Sequence, residues 1–435
     1  MARLVARRPA TLWGGASYWP VASAGCLPHS FGDGGASAST APAVVSRQPQ
    51  QQQQQQQRRC HVGSSGAADV RISERRLKEF LKAEVAFFAD QSPNSISLRQ
   101  VLDASTPERA AELSIKELPI RFAQRIVQIE SLECWDSSPE LVNVHSLYCR
   151  TFRDLRLVEL DLQNLEPFTD VIQRIKGRMR AVIPSLATAM RALQQSQKLD
   201  EAMIGEWLDT FLLSRIGTEM LTSQYMACIT ARVGARPGRH GIVDDACDPA
   251  GICEQAARHA RKLCMQHFKL NQDVVIRVES FDLDGAKQIR FPYVPQYLFY
   301  IMVEILKNSA RATVEVSKAD PIEIKRRPIM ITVGADHSQV AIRVHDVAGG
   351  IPFSVADRVW SYMYSTSPNS KSGSDFSQQG TPLAGYGVGL PLSRLYARYL
   401  GGSLHLQSLP GIGTRNYLYL KRLESEAREA HSVSE

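Results

Sequence analysis

The stretch GYGVGLPLSRLYARYLGG, residues 385–402, joins a glycine-rich turn to a predicted helix that begins directly after it. Glycines at alternate positions let backbone N–H groups converge on an anion, because no Cβ atom blocks positive φ or close approach. The helix adds its own unpaired N–H groups and the positive end of its dipole. The spacing therefore predicts a phosphate-binding turn, with a plain tight connection as the alternative. The residues predicted to contact the phosphates are Gly385, Tyr386, Gly387, Val388, Gly389 and Leu390.

An amphipathic helix is predicted upstream, in QYLFYIMVEILKNSARATVE, residues 296–315. Its polar stripe consists of Glu304, Lys307, Asn308 and Arg311. These side chains share one face, since they follow at helical spacing, and apolar residues occupy the opposite face. Together they offer hard oxygen ligands for Mg²⁺ and cations for a triphosphate. A solvated surface face is the alternative interpretation.

Between these elements, IMITVGADHSQVAIRVHDVAGGIP, residues 329–352, predicts two paired strands over 329–333 and 340–344. Asp346 and the glycines that follow it break the second strand at its end. The acid could be a simple turn former. It could equally accept a hydrogen bond from an adenine amino group, while Gly350 lets the base lie against the backbone.

These three elements, followed by SLHLQSLPGIGTRNYLYL, residues 403–420, resemble the nucleotide-binding domain of the GHKL ATPases. The motifs at 303–315, 357–368 and 383–414 narrow the resemblance to the mitochondrial kinases of the pyruvate and branched-chain 2-oxoacid dehydrogenases. KELPIRFAQRI, LVNVHSLYCRTFRDL and FLLSRIGTEMLTSQY, at 116–126, 141–155 and 211–225, extend it into the N-terminal half. The resemblance covers roughly residues 70–422.

The resemblance implies an α+β fold, in which an N-terminal antiparallel four-helix bundle precedes a GHKL-type α/β-sandwich nucleotide-binding domain. Helical patterning runs from about residue 72 to 231, and Pro119 and Pro184 are expected to interrupt it. The predicted parts are a transit peptide with a Gln-rich disordered segment (1–65), the regulatory helical bundle (66–235), a linker (236–253), the ATP-binding kinase domain (254–424) and a disordered tail (425–435).

The N-terminal segment carries most of the excess positive charge. Residues 1–61 hold six arginines and one acid, which leaves 45 basic against 43 acidic residues in the rest. An arginine-bearing, acid-poor start predicts a mitochondrial transit peptide and a matrix location, with a disordered tail as the alternative. No nucleic-acid-binding domain is expected, since no basic patch remains, and no apolar run approaches the ~20 residues of a membrane span. The eight cysteines lack CxxC spacing, so neither zinc nor a disulfide framework is indicated.

By resemblance, the chain is an ATP- and Mg²⁺-dependent protein serine kinase, with K⁺ as an optional further ion. Glu304 is the predicted general base and Asn308 the Mg²⁺ ligand, because a carboxylate can accept a proton whereas an amide can only coordinate. The other predicted roles are Lys307 and Arg311 as phosphate-side cations, Asp346 as the adenine reader, Thr414 as a hydroxyl near the base, Ser365 and Thr366 as residues approaching the nucleotide, and 370–381 as a lid.

Three positions depart from the family pattern. Ala348 replaces the first glycine of a D-x-G-x-G box, which would crowd the base if that residue needs positive φ. Tyr300 stands where the pyruvate dehydrogenase kinases carry histidine and the branched-chain enzyme carries tyrosine. Glu219 replaces an arginine that helps bind an acidic 2-oxoacid; Arg215 is kept as a predicted ligand, and Arg180 could substitute for the missing arginine. The alternative is that Glu219 points to solvent.

The resemblance implies three partners: a 2-oxoacid dehydrogenase subunit as substrate, the lipoyl domain of the acyltransferase core, and a second copy in a homodimer. SYMYSTSP and GLPLSRLYARY favour pyruvate dehydrogenase as substrate, whereas Tyr300 and GGSLHLQSL favour the branched-chain enzyme. A non-catalytic nucleotide-binding scaffold is a further alternative, although Glu304 and Asn308 together argue against it. A histidine kinase is disfavoured, because His145 is the one histidine in residues 72–231 and its apolar neighbours indicate packing.

Overall fold

The computed structural model describes residues 73–94, 96–133, 135–196, 199–231, 238–282, 288–364 and 387–423. Several predictions lie outside these ranges: the transit peptide (1–65), the tail (425–435), Ser365, Thr366, the lid (370–381), Gly385 and Tyr386.

The N-terminal part of the chain is helical. Its helices are α1 (Glu74–Ala89), α2 (Leu98–Asp103), α3 (Pro107–Glu130), α4 (Pro139–Leu157), α5 (Glu166–Met179), α6 (Val182–Gln195) and α7 (Glu201–Ala231). Hydroxyl caps fix several starts; for example, Thr106 Oγ1 accepts from the Arg109 N–H at 3.3 Å. Between α3, α4 and α7 the rings of Phe122, Tyr148 and Phe211 pack with centroid distances of 5.3 and 5.5 Å. Whether these helices form a four-helix bundle stays a prediction.

The C-terminal part combines two sheets with helices. Its elements are β1 (Arg239–His240), β2 (Val243–Cys247), α8 (Pro249–Phe268), β3 (Ile276–Asp282), β4 (Phe291–Tyr293), α9 (Pro295–Val316), α10 (Pro321–Arg326), β5 (Ile329–Ala335), β6 (Gln339–Asp346), α11 (Phe353–Ala356), α12 (Gly389–Tyr399), β7 (Ser403–Leu409) and β8 (Gly413–Lys421). The chain is therefore α+β, as predicted.

The larger sheet has the strand order β3-β5-β6-β8-β7, in which β3 and β5 are parallel and the other pairs are antiparallel. Burial alternates along β5 and β6, and α8, α9 and α12 pack against the sheet. The predicted pairing of 329–333 with 340–344 is confirmed, since Ile331 lies opposite Val344 and Val333 opposite Ile342. This packing brings the end of β6 next to α9 and the start of α12.

One local expectation was wrong: Pro119 lies inside α3 and does not interrupt that helix. The helical pattern does break just before Pro184, since α5 ends at Met179 and α6 begins at Val182. The segment predicted as a linker, 236–253, holds β1, β2 and the start of α8. The division of the chain into domains stays a prediction. Within the ranges given above, no helix is both long and apolar enough to cross a bilayer.

Candidate nucleotide-binding and catalytic site

A cavity of about 440 Å³ lies where α9, the end of β6, the start of α12 and strands β7 and β8 meet. It draws on all three predicted motifs. The predicted site residues that line it are Glu304, Lys307, Asn308, Arg311, Asp346, Gly350, Gly387, Gly389, Leu390 and Thr414. Val388 occupies the N-cap position of α12, just before the helix begins.

The polar stripe of α9 faces this cavity. Lys307 Nζ donates to Glu304 Oε1 at 2.8 Å, and both side chains are largely buried. The other Glu304 oxygen occupies the space where a Cβ atom of residue 389 would lie. Glycine at 389 therefore lets the carboxylate approach the N-terminal end of α12, where the helix dipole favours negative charge.

The remaining stripe residues differ in how they are held. Arg311 Nε donates to Glu315 Oε1 at 2.7 Å, and both residues line the cavity. Asn308 is exposed to the cavity, and its amide oxygen is a hard ligand of the type that Mg²⁺ accepts. Helix α9 therefore presents two carboxylates, an amide and two cations to one space.

Asp346 is the buried acid of the site, with 3% of its surface exposed. Ser309 Oγ donates to its Oδ2 at 2.7 Å, and the N–H groups of Ala348 and Thr414 donate to its Oδ1 at 3.2 and 3.3 Å. Burial raises the pKa of this carboxyl, although the three hydrogen bonds oppose the shift. Sequence reasoning missed Ser309; a hydroxyl on the apolar face of α9 was the available signal.

The loop after Asp346 needs glycine at two positions. Gly349 and Gly350 have φ of +81° and +70°, whereas Ala348 is not among the residues with positive φ. The crowding considered for Ala348 is therefore not found, because that position does not need glycine. At Gly350, a Cβ atom would collide with the carbonyl of Leu409.

Gly387 is fixed against the segment that precedes the undescribed residues 365–386. Its φ is +73°, and a Cβ atom there would lie 2.6 Å from the carbonyl carbon of Met363 and 2.8 Å from its Cα. The Met363 N–H donates to the Gly387 carbonyl at 3.0 Å. Next to it, Tyr362 Oη donates to Asp209 Oδ1 of α7 at 2.6 Å. Packing thus requires glycine at 387, alongside its predicted phosphate role.

Tyr300 packs beside the polar stripe of α9. Its ring lies 4.8 Å from that of Tyr396, centroid to centroid. Burial and, secondly, the charge of Glu304 raise the pKa of its phenol well above the usual range. Tyr300 is therefore a neutral neighbour of the predicted base.

The predicted 2-oxoacid ligands do not share one environment. Arg215 is buried and its Nη2 donates to the Met179 carbonyl at 2.6 Å, whereas Arg180 is exposed at the end of α5. Glu219 is also buried, and its Oε1 accepts from Lys176 Nζ at 2.7 Å and from Ser223 Oγ at 2.8 Å. The alternative in which Glu219 points to solvent is therefore wrong. Lys176 lies 43 residues away in sequence, where no local signal could have identified it.

Two known protein families match this chain, one in each half. The family described as mitochondrial branched-chain alpha-ketoacid dehydrogenase kinase matches residues 95–244. The family described as histidine kinase-, DNA gyrase B-, and HSP90-like ATPase matches residues 293–424.

Full-length relatives match across most of the chain. The mitochondrial pyruvate dehydrogenase (acetyl-transferring) kinase isozyme 4 of Rhinolophus ferrumequinum is 33% identical, over 80% of this chain and 85% of its own length. Isozyme 3 of Mus musculus is 32% identical, over 83% of this chain and 88% of its own length. The Drosophila melanogaster kinase of the same description is 33% identical, over 79% and 85%.

Proposed function

The chain belongs to the mitochondrial pyruvate and branched-chain 2-oxoacid dehydrogenase kinases of the GHKL superfamily, and we propose that it phosphorylates a serine of pyruvate dehydrogenase. As a member of that family it is a protein serine kinase with a histidine-kinase-like ATPase domain. The observation that carries the proposal is the single cavity onto which Glu304, Asn308 and Asp346 converge. The proposed location is the mitochondrial matrix, where phosphorylation would inactivate the dehydrogenase.

The lining of the cavity fits ATP with Mg²⁺. The buried Asp346 offers a carboxylate oxygen to the adenine amino group, with the Thr414 hydroxyl nearby. At the other side, Gly387, Gly389 and the start of α12 suit the phosphates, because helix N-terminal N–H groups and the dipole favour anions. Asn308 would hold Mg²⁺, which, when bound, offsets the charge of the phosphate oxygens. The optional K⁺ ion stays a prediction.

Glu304 is the proposed general base. Its carboxylate can accept the proton of the substrate serine as the serine oxygen bonds to the γ-phosphorus and the bond from that phosphorus to the leaving ADP oxygen breaks. Lys307 holds the carboxylate at 2.8 Å, which fixes the direction in which its lone pairs point. Lys307 and Arg311 also place positive charge beside the cavity, where it stabilises the transferring phosphoryl group.

A branched-chain 2-oxoacid dehydrogenase is the second candidate substrate. The family that matches residues 95–244 is named for branched-chain alpha-ketoacid dehydrogenase kinase, whereas the relatives that match most of the chain are pyruvate dehydrogenase kinases. Incubating the kinase with radiolabelled ATP and each purified dehydrogenase complex in separate reactions tests the choice. We expect serine-bound label in pyruvate dehydrogenase; label confined to the branched-chain enzyme would reassign the substrate. A non-catalytic scaffold would bind ATP and label neither.

Two partners are proposed from family membership. The helical part, residues 66–235, would bind the lipoyl domain of the acyltransferase core, and two copies of the chain would form a homodimer. Light scattering of the purified chain tests the dimer. Binding to lipoylated and unlipoylated forms of the isolated domain tests the docking partner, and equal failure with both forms would refute it.

A further inference from the structure

Asn416 of β8 lines the cavity and carries a buried, unpaired polar atom that the proposed catalytic roles leave unused. The residue lines the cavity, only 4% of its surface is exposed, and its Oδ1 has no hydrogen-bond partner. A buried amide oxygen without a partner is unfavourable, because it has lost its hydrogen bonds to water. On a residue that lines a ligand cavity, such an atom points to a donor supplied by the ligand.

The strand register places Asn416 near the adenine reader. Asp346 lies opposite Thr414, and Asn416 follows two residues later on the same face of β8. Asp346 and Asn416 are therefore diagonal neighbours on adjacent strands, a spacing of roughly 7–8 Å that side chains can bridge through a ligand. Leu406 of β7 lies opposite Asn416 and also lines the cavity, so the amide has an apolar wall beside it.

Asp346 alone cannot accept both hydrogens of an adenine amino group. Its Oδ1 already accepts from two backbone N–H groups, and its Oδ2 accepts from Ser309, so the carboxylate has little capacity left. The 6-amino group of adenine carries two hydrogens. One can bond to Asp346 Oδ2, and the other then needs an acceptor of its own.

We infer that Asn416 is a second base-reading residue, whose Oδ1 accepts the other hydrogen of the adenine 6-amino group, directly or through one water. The inference rests on the proposed binding of ATP in this cavity. The preference for a 6-aminopurine would then depend on residues of two strands, Asp346 of β6 and Asn416 of β8. Removing the Asn416 acceptor should weaken that preference without touching the phosphates.

Nucleotide binding, measured by calorimetry, tests the inference without any turnover. The ligands are ATP and purine riboside triphosphate, which differs from ATP in lacking the 6-amino group. The variants are Asn416→Leu, close in volume but without an acceptor, and Asn416→Val, which suits a strand. Gln407→Leu is the matched control, because Gln407 is an exposed amide on the adjacent strand and does not line the cavity.

The informative quantity is the ratio of the two affinities. In both Asn416 variants the preference for ATP over purine riboside triphosphate should fall about 5- to 10-fold, the usual contribution of one hydrogen bond. Gln407→Leu should keep the wild-type ratio. Without nucleotide, Asn416→Leu should melt at or above the wild-type temperature, since the unpaired oxygen is gone.

An unchanged ratio in the two Asn416 variants would overturn the inference, and so would an equal loss of affinity for both nucleotides. If the wild-type chain binds ATP but the ratio does not move, the proposed function stands and only the role of Asn416 fails. If the wild-type chain does not bind ATP at all, the proposed function fails and the inference with it.

Discussion

Replacing Gly387 with alanine should weaken ATP binding about 30-fold or more while leaving the helical part of the chain intact. Gly387 has a φ of +73°, which an alanine adopts only with strain. The new Cβ atom would also lie 2.6, 2.8 and 3.0 Å from three backbone atoms of Met363. Those atoms cannot rotate away as the end of a side chain could, and the neighbouring Tyr362 is bonded to Asp209 of α7.

Two penalties add at this position. A left-handed backbone conformation costs about 1–2 kcal/mol for a residue with a Cβ atom. Forcing an extra methyl into a packed contact costs a further ~1–3 kcal/mol. In the variant, the present backbone conformation at residue 387 is therefore destabilised by at least about 2 kcal/mol. If that conformation is the one that binds ATP, this energy corresponds to a roughly 30-fold loss of ATP affinity.

Gly238→Ala separates the two penalties. Gly238 has a φ of +74°, but no atom lies within 4 Å of the position of its Cβ. It should therefore lose about 1–2 kcal/mol of unfolding free energy and keep the wild-type ATP affinity. Calorimetric ATP titrations and circular dichroism of both variants provide the comparison. ATP affinity within about threefold of wild type in Gly387→Ala would refute the reasoning, since ~0.6 kcal/mol is below either penalty.

Other sites yield further predictions. Because burial raises the pKa of Asp346, the stability contributed by its protonated form is lost as the pH rises through that raised pKa. Asp346→Asn should therefore have a higher melting temperature than wild type at about pH 8, and this difference should shrink toward about pH 4. The variant should also bind ATP more weakly. A difference in melting temperature that does not change with pH would contradict the reasoning. Glu219→Gln should lower the unfolding free energy by about 1–3 kcal/mol, because Lys176 loses its charged partner and keeps only the Ser223 hydroxyl, and chemical denaturation measures it. Acidic 2-oxoacids and dichloroacetate should inhibit poorly, because Glu219 places a carboxylate one turn from Arg215 and already binds the cation of Lys176; submillimolar inhibition of the wild type would show otherwise.

Local sequence patterns predicted the elements that shape the site. The stripe of α9, the paired strands β5 and β6 and the start of α12 all follow from periodicity and turn residues that lie close together in sequence. Those patterns were sufficient because each element has one strongly apolar face that the core must bury. They also placed Glu304, Asn308 and Asp346, which now share one cavity.

Long-range partners could not be predicted in the same way. The hydrogen bond from Ser309 to Asp346 spans 37 residues, and the ion pair of Lys176 with Glu219 spans 43. Which polar groups meet across such distances depends on the packing of whole helices and strands. Pro119 illustrates the converse, since its surroundings in α3 keep the helix continuous where local propensity predicts a break.

The most direct test of the central claim compares two glutamates that line the same cavity on α9. Phosphate transfer from radiolabelled ATP to serine of purified pyruvate dehydrogenase is measured for the wild type, Glu304→Gln and Glu315→Gln at saturating ATP. Glu304→Gln should bind ATP normally and transfer phosphate ~10² to 10⁴ times more slowly, the usual contribution of a positioned base. Glu315→Gln, which loses only its pair with Arg311, should stay within about tenfold of wild type. Wild-type turnover in Glu304→Gln would contradict the assignment of the base, and absence of transfer by the wild-type chain to either dehydrogenase would contradict the proposed function.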